Sequence, residues 1–77
     1  MENKTTINGI ETTAKQRVEA EAEQLEERYL KLTAFLTTDK FNGMREAEKD
    51  YLVRQRKAMW DYLCILRCRL SIWEDKA

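Results

Sequence analysis

Apolar residues in the first half of the chain recur at alternating intervals of four and three residues, which constrains the fold more than any other feature. An average spacing of 3.5 residues places all of them on one stripe of an α-helix, which must pack against another helix. The chain contains no proline to interrupt such a helix. Thr13 followed by Gln16 is typical of a capping box, so we expect a first helix over about residues 13–37. The stripe comprises Val18, Ala22, Leu25, Tyr29, Leu32 and Leu36.

A second apolar series predicts a second helix over about residues 45–74. Between the two helices, Thr38, Asp39 and Asn42-Gly43 favour turns. Two amphipathic helices joined by a short connection form an antiparallel hairpin. The predicted fold class is therefore all-α, an antiparallel two-helix hairpin. The second series is Leu52, Gln55, Met59, Tyr62, Leu66, Leu70 and Trp73.

The residues before the first helix are polar and carry the turn signal Asn8-Gly9. We interpret residues 1–10 as a flexible N-terminal arm. Residues 11–77 then form a single helical hairpin domain, because a chain of 77 residues is long enough for one domain only.

The C-terminal half of the second helix is apolar nearly all the way round, and a single hairpin covers only one of its faces. Chains this short usually need extra burial to be stable. We therefore predict a homo-oligomer, a four-helix bundle or a larger assembly; the alternative is that this face docks on a host protein. Gln55, within the predicted seam, is interpreted as a residue that fixes register and subunit number. The predicted oligomer interface comprises Trp60, Cys64, Ile65, Cys68, Ile72 and Trp73.

The formal net charge is zero, from 14 basic and 14 acidic residues, which argues against a strongly basic nucleic-acid-binding protein. The charges are nevertheless segregated, since residues 16–27 are mainly acidic and residues 51–70 mainly basic. No apolar run reaches the length of a membrane helix and no signal peptide is evident, so we expect a cytoplasmic protein.

The sequence offers little for catalysis. Histidine is absent and Ser71 is the only serine, so the usual general base near neutral pH is missing. Without histidine, Cys64 and Cys68 cannot complete a zinc site within one chain, and we interpret them as free thiols. We expect no enzyme activity, no cofactor and no metal site.

One edge of the second helix combines positive charge with an indole. Arginine pairs with phosphate in a bidentate manner and an aromatic ring stacks on a base, so this edge suits an anionic nucleotide. Arg28 or Arg69 of a neighbouring subunit would complete the pocket. The alternative is that these cations meet the acidic face of helix 1 in a neighbouring subunit and steer assembly. The edge comprises Lys49, Arg56, Trp60 and Arg67.

Residues 25–71 resemble a group of small helical-hairpin proteins of tailed phages and prophages, mostly of unknown function. The resemblance is carried by two motifs. The turn motif L-x-A-F-[IL]-x-[ST]-D-x-F matches Leu32 to Phe41, and the helix motif L-x-x-Q-x-x-x-M-x-x-Y matches Leu52 to Tyr62. Arg45 departs from the pattern, in which a serine or proline cap is common.

The resemblance implies a phage accessory protein in the cytoplasm of an infected bacterial cell. Small, non-enzymatic phage proteins of this size often act against host defence, so the expected role is binding and sequestration in counter-defence. The partner would be a cyclic nucleotide messenger trapped between subunits or a host defence protein that is blocked. Two alternatives stay open, namely a nucleic-acid-binding accessory of phage replication or recombination and a purely structural interaction module.

Overall fold

The protein is nearly all helical, and two long helices pack against each other. The computed structural model describes residues 4–7 and 10–74, and the side chains of residues 13–73. The long helices occupy the two segments in which helices were predicted. The elements in chain order are β1 (Lys4–Ile7), β2 (Ile10–Thr13), α1 (Ala14–Phe35), α2 (Asp39–Asn42) and α3 (Glu46–Glu74).

Helix α1 begins with the capping box that the sequence predicts. The backbone N–H of Gln16 donates to Thr13 Oγ1 at 3.2 Å, and the backbone N–H of Thr13 donates to Gln16 Oε1 at 2.9 Å. Each side-chain oxygen accepts from a backbone N–H that would otherwise lack a partner at the start of the helix. Farther along the helix, Glu27 and Lys31 form an exposed ion pair at 3.1 Å.

The connection between the long helices contains a one-turn helix, α2, where the sequence predicted only turns. The hydroxyl of Thr38 donates to the carbonyl of Phe35 at 2.6 Å and accepts from the backbone N–H of Phe41 at 3.2 Å. Thr38 therefore closes α1 and caps α2 at once. Phe41 is buried and meets the ring of Phe35 edge-on, with centroids 6.2 Å apart. This contact closes one end of the helix pair.

The core lies between α1 and α3. Val18 and Ala22 of α1 pack against Leu63 and Leu66 of α3, and both leucines are fully buried. Partly buried residues extend this cluster toward the end of α3: Leu25, Leu70 and Trp73.

The structure corrects the apolar series predicted for the second helix. Gln55 and Tyr62 are exposed, whereas the neighbouring positions Arg56 and Leu63 face α1. The prediction that Gln55 is a buried polar residue of the core was therefore wrong. We call the series that packs against α1 the inner seam, and its members are all buried or half-buried. The inner seam comprises Leu52, Arg56, Met59, Leu63, Leu66, Leu70 and Trp73.

The N-terminal segment forms a β-hairpin where the sequence predicted a flexible arm. Strands β1 and β2 pair antiparallel, with Lys4 opposite Thr13 and Ile7 opposite Ile10. Both strands are rich in β-branched threonine and isoleucine, which favour extended structure. The Asn8-Gly9 turn signal lies outside the described residues.

Candidate functional site

A partly exposed aromatic pair marks the candidate site. The indole of Trp60 in α3 packs on the ring of Tyr29 in α1, with centroids 5.3 Å apart and planes inclined by 38°. Trp60 retains 42% of its accessible surface. Tyr29 supports one side of the indole, and solvent reaches the remainder. Sequence analysis assigned Trp60 to a site but treated Tyr29 as a packing residue only.

Among the described residues, Arg56 is the cation of this edge that has no ion-pair or hydrogen-bond partner. It lies one helical turn before Trp60 and is half-buried. Within the described part of the chain, its guanidinium has neither an ion pair nor a hydrogen bond. A half-buried guanidinium in this condition keeps its five N–H donors for water or for a bound anion.

Arg67 is engaged within the chain. Its guanidinium forms an ion pair with Glu26 of α1, and both side chains are about half exposed, at 48% and 47%. Glu26 belongs to the acidic segment that sequence analysis expected to meet cations of a neighbouring subunit. The structure thus shows one such acid–base contact inside a single chain.

Lys49 acts locally at the start of α3. Its ammonium contacts Glu46 at 3.2 Å and donates to the carbonyl oxygen of Asn42 at 3.5 Å. The same ammonium lies 5.7 Å from the ring centroid of Phe41. These contacts tie α3 to the connection and engage Lys49 away from Trp60.

The two arginines proposed as contributions from a neighbour lie elsewhere on the surface. Arg28 is exposed on α1 and has no ion-pair partner among the described residues. Arg69 is exposed on α3, with its guanidinium 5.8 Å from the ring centroid of Trp73. Neither belongs to the edge that carries Trp60.

A shallow concavity of about 420 Å³ lies between α1 and the end of α3. Its lining carries three carboxylates and one guanidinium, and the guanidinium is paired with Glu26. The local field therefore disfavours an anion here. The lining residues are Ala22, Glu23, Glu26, Glu27, Leu30, Arg67 and Leu70.

The residues predicted to form an oligomer interface are divided between surface and core. Ile65 and Ile72 are 58% and 68% exposed, and Cys68 is exposed as well. Trp73 packs against the core cluster, and Cys64 is half-buried. Both cysteines are free thiols.

Among the described residues, no group of three or more histidine, cysteine, aspartate or glutamate side chains is placed to hold a metal ion. No helix in this part of the chain combines the length and apolar character needed to cross a membrane.

No significant match to the chain was found among curated proteins or among solved structures. A family model does match, and it spans residues 12–72, from the last residues of β2 to near the end of α3. The match includes Tyr29, Arg56 and Trp60 together with the whole of the core. Because it covers most of the 77 residues, the chain belongs to the Sequestin family.

Proposed function

We propose that this protein acts by binding and sequestering an anionic nucleotide messenger without converting it, as a phage counter-defence protein. The family name denotes sequestration, which supports a binding role. The observation that supports this ligand class is the partly exposed indole of Trp60, in contact with Tyr29, one turn from Arg56, which has no partner among the described residues.

The chemistry of this edge fits the two halves of a nucleotide. An exposed indole offers a flat surface on which a base stacks, and base–aromatic stacking contributes about 1–3 kcal/mol per base. A guanidinium binds two phosphate oxygens at once through parallel N–H donors. Arg56 and Trp60 are four residues apart on one helix, so they present both groups on the same side.

A single chain holds only part of such a site. Arg67 and Lys49 are engaged by Glu26 and Glu46, which leaves Arg56 as the available cation at this edge within the described residues. A ligand with two or more phosphates needs further positive charge. We therefore propose an antiparallel helical hairpin that assembles into a homo-oligomer, with Arg28 or Arg69 of a neighbouring subunit completing the pocket.

The proposal is tested by isothermal titration of the purified protein with a panel of cyclic mononucleotides and cyclic dinucleotides. Native mass spectrometry of protein from its expression host would detect any nucleotide retained during purification. We expect at least one member of the panel to bind, and we expect Trp60→Ala and Arg56→Ala each to weaken binding at least tenfold.

Arg54→Ala is the matched control, because Arg54 is 71% exposed and already paired with Asp50 at 3.0 Å. Its affinity for the bound nucleotide should equal that of the wild type. The proposal fails if no member of the panel binds, or if Arg54→Ala and Arg56→Ala weaken binding equally.

A further inference from the structure

Helix α3 carries a second, exposed series with the same spacing as the inner seam. Its members lie one residue before the members of the inner seam, at alternating intervals of four and three residues. All of them are exposed, and Tyr51, Ile65 and Ile72 retain 68%, 58% and 68% of their accessible surface. We call this series the outer seam, and it comprises Tyr51, Gln55, Ala58, Tyr62, Ile65, Arg69 and Ile72.

The outer seam has the pattern of a helix-packing surface. A spacing of 3.5 residues keeps it facing one direction along the helix, over about 30 Å. A helix that faces only water has no reason to repeat apolar residues at this spacing. The core of the described side chains is also small, with five buried apolar residues, so further burial would add stability.

We propose that a second copy of the chain covers the outer seam, with the two α3 helices antiparallel around a two-fold axis at Tyr62. In this register Tyr51 of one copy faces Ile72 of the other, and Ala58 faces Ile65. A two-fold interface uses the same patch on both subunits, and the outer seam matches itself when its direction is reversed. Apolar residues thereby meet apolar or aromatic residues at the centre and at both ends of the contact.

The two polar members of the outer seam select the antiparallel arrangement. With the helices antiparallel, Gln55 of one copy lies opposite Arg69 of the other, and the amide oxygen accepts a hydrogen bond from the guanidinium. With the helices parallel, Arg69 would face Arg69, and two like charges would repel each other. Polar residues within a seam are known to specify orientation in this way.

The charges that border the outer seam are already paired within the chain. Arg54 contacts Asp50 at 3.0 Å and Lys57 contacts Asp61 at 3.0 Å. This border therefore presents no excess of one sign to an approaching copy. On the α1 side, Glu21 contacts the hydroxyl of Tyr62, so the border there is also engaged.

The two-fold arrangement supplies the additional charge that the proposed function requires. In this register Arg69 of the second copy lies opposite Gln55, the residue that precedes Arg56 of the first copy. The two guanidiniums would flank one groove. This last step rests on the proposed function, whereas the docking of the second copy does not.

The first test is the molar mass of Ile65→Asp, measured by light scattering after size-exclusion chromatography. A carboxylate in the middle of the outer seam should convert the wild-type dimer, or a larger even-numbered assembly, into a smaller species. The matched control is Leu30→Asp, since Leu30 is 56% exposed but lies on α1 outside both seams. Circular dichroism should show that both variants remain helical.

The second test is disulfide cross-linking in a Cys64→Ser, Cys68→Ser background. With Tyr62 on the two-fold axis, Tyr62→Cys should form a covalent dimer on mild oxidation. Tyr51→Cys should not, because it faces Ile72. Equal cross-linking of both variants would indicate parallel helices and overturn the proposed register.

A wild-type protein that is monomeric at the concentrations used would overturn the proposal, as would a Leu30→Asp variant that dissociates as readily as Ile65→Asp. These outcomes are separate from the proposed function. A dimer that binds no nucleotide would refute sequestration of a nucleotide and leave the interface standing. A monomer that binds nucleotide through Trp60 would refute the interface and leave nucleotide binding standing.

Discussion

The inner and outer seams of α3 have the same length and the same spacing and face directions about 100° apart, yet the inner seam packs against α1 and the outer seam is exposed. They differ by a shift of one residue. The inner seam has leucine at positions 63, 66 and 70, whereas the outer seam has tyrosine at positions 51 and 62 and alanine at position 58. Leucine carries no polar atom, while the hydroxyl of tyrosine stays near water or a partner when it can.

The inner seam contains one charged residue, Arg56, and the outer seam contains two polar residues, Gln55 and Arg69. Arg56 is half-buried, and arginine commonly buries its aliphatic stem while it keeps its charge in water. Gln55 is exposed in the single chain. The comparison indicates that spacing decides how many packing surfaces a helix has, and that side-chain chemistry decides which surface is used within the chain.

The largest effect on stability should come from truncating the central leucine of the inner seam. Leu63→Ala removes a fully buried side chain and should lower the free energy of unfolding by about 2–5 kcal/mol, because a cavity remains. Urea denaturation monitored by circular dichroism measures this loss in the free energy of unfolding. Leu30→Ala, at a 56% exposed position, should change stability by less than about 0.5 kcal/mol. Equal losses would show that the distinction between buried and exposed apolar positions is wrong.

A smaller effect should come from removing one of the two polar residues of the outer seam. Gln55→Leu deletes the acceptor of the proposed hydrogen bond and leaves the guanidinium of Arg69 of the second copy without a partner, so association should weaken about tenfold, which corresponds to about 1.4 kcal/mol. The substitution also removes a residue that selects orientation. Sedimentation equilibrium measures the dissociation constant and the subunit number. Gln24→Leu, at an exposed position of α1, is the control and should leave both unchanged. If Gln55→Leu has no effect, the outer seam is not an interface.

The substitution Arg56→Met tests whether the charged residue of the inner seam serves binding. Arg56→Met keeps a long, flexible side chain beside α1 and removes a half-buried charge that has no partner in the described residues. Stability should rise by up to about 1 kcal/mol, while nucleotide binding should be lost. Arg54→Met should preserve binding. A clear loss of stability in Arg56→Met would instead assign Arg56 a structural role.

The smallest effect concerns the side of α1 that faces the inner seam. The hydroxyl of Thr33 is buried and has no hydrogen-bond partner among the described residues. Thr33→Val keeps the shape and removes the unsatisfied group, so thermal unfolding should show a gain of about 0.5 kcal/mol. Thr33→Ser keeps the hydroxyl and serves as the comparison. A loss of stability in Thr33→Val would show that the hydroxyl is hydrogen-bonded in solution.

The helical character of the chain and the packing of its two long segments could be predicted from residue spacing alone. The choice between Tyr62 and Leu63 could not, because adjacent residues on a helix differ by about 100° and both fit a stripe of period 3.5. A count of apolar residues does not show which of two overlapping stripes faces α1. That choice depends on the complete set of contacts with Val18 and Ala22.

The candidate site was predictable only on the α3 side. Arg56 and Trp60 share an edge by their spacing, but the contacts of Trp60 with Tyr29 and of Arg67 with Glu26 depend on how α1 is rotated relative to α3. No pattern within one helix contains that information. The β-hairpin was missed for a different reason, since its residues were judged by polarity rather than by their β-branched side chains.

The capping box at Thr13 and Gln16 has a consequence for how this protein can be altered. A helix with its own start signal does not depend on the segment before it, and the family match begins at residue 12, next to that signal. The residues before Thr13 should therefore be exchangeable for another module, such as an affinity handle or a reporter, with the packing of α1 on α3 preserved. A foreign module would be joined directly before Thr13.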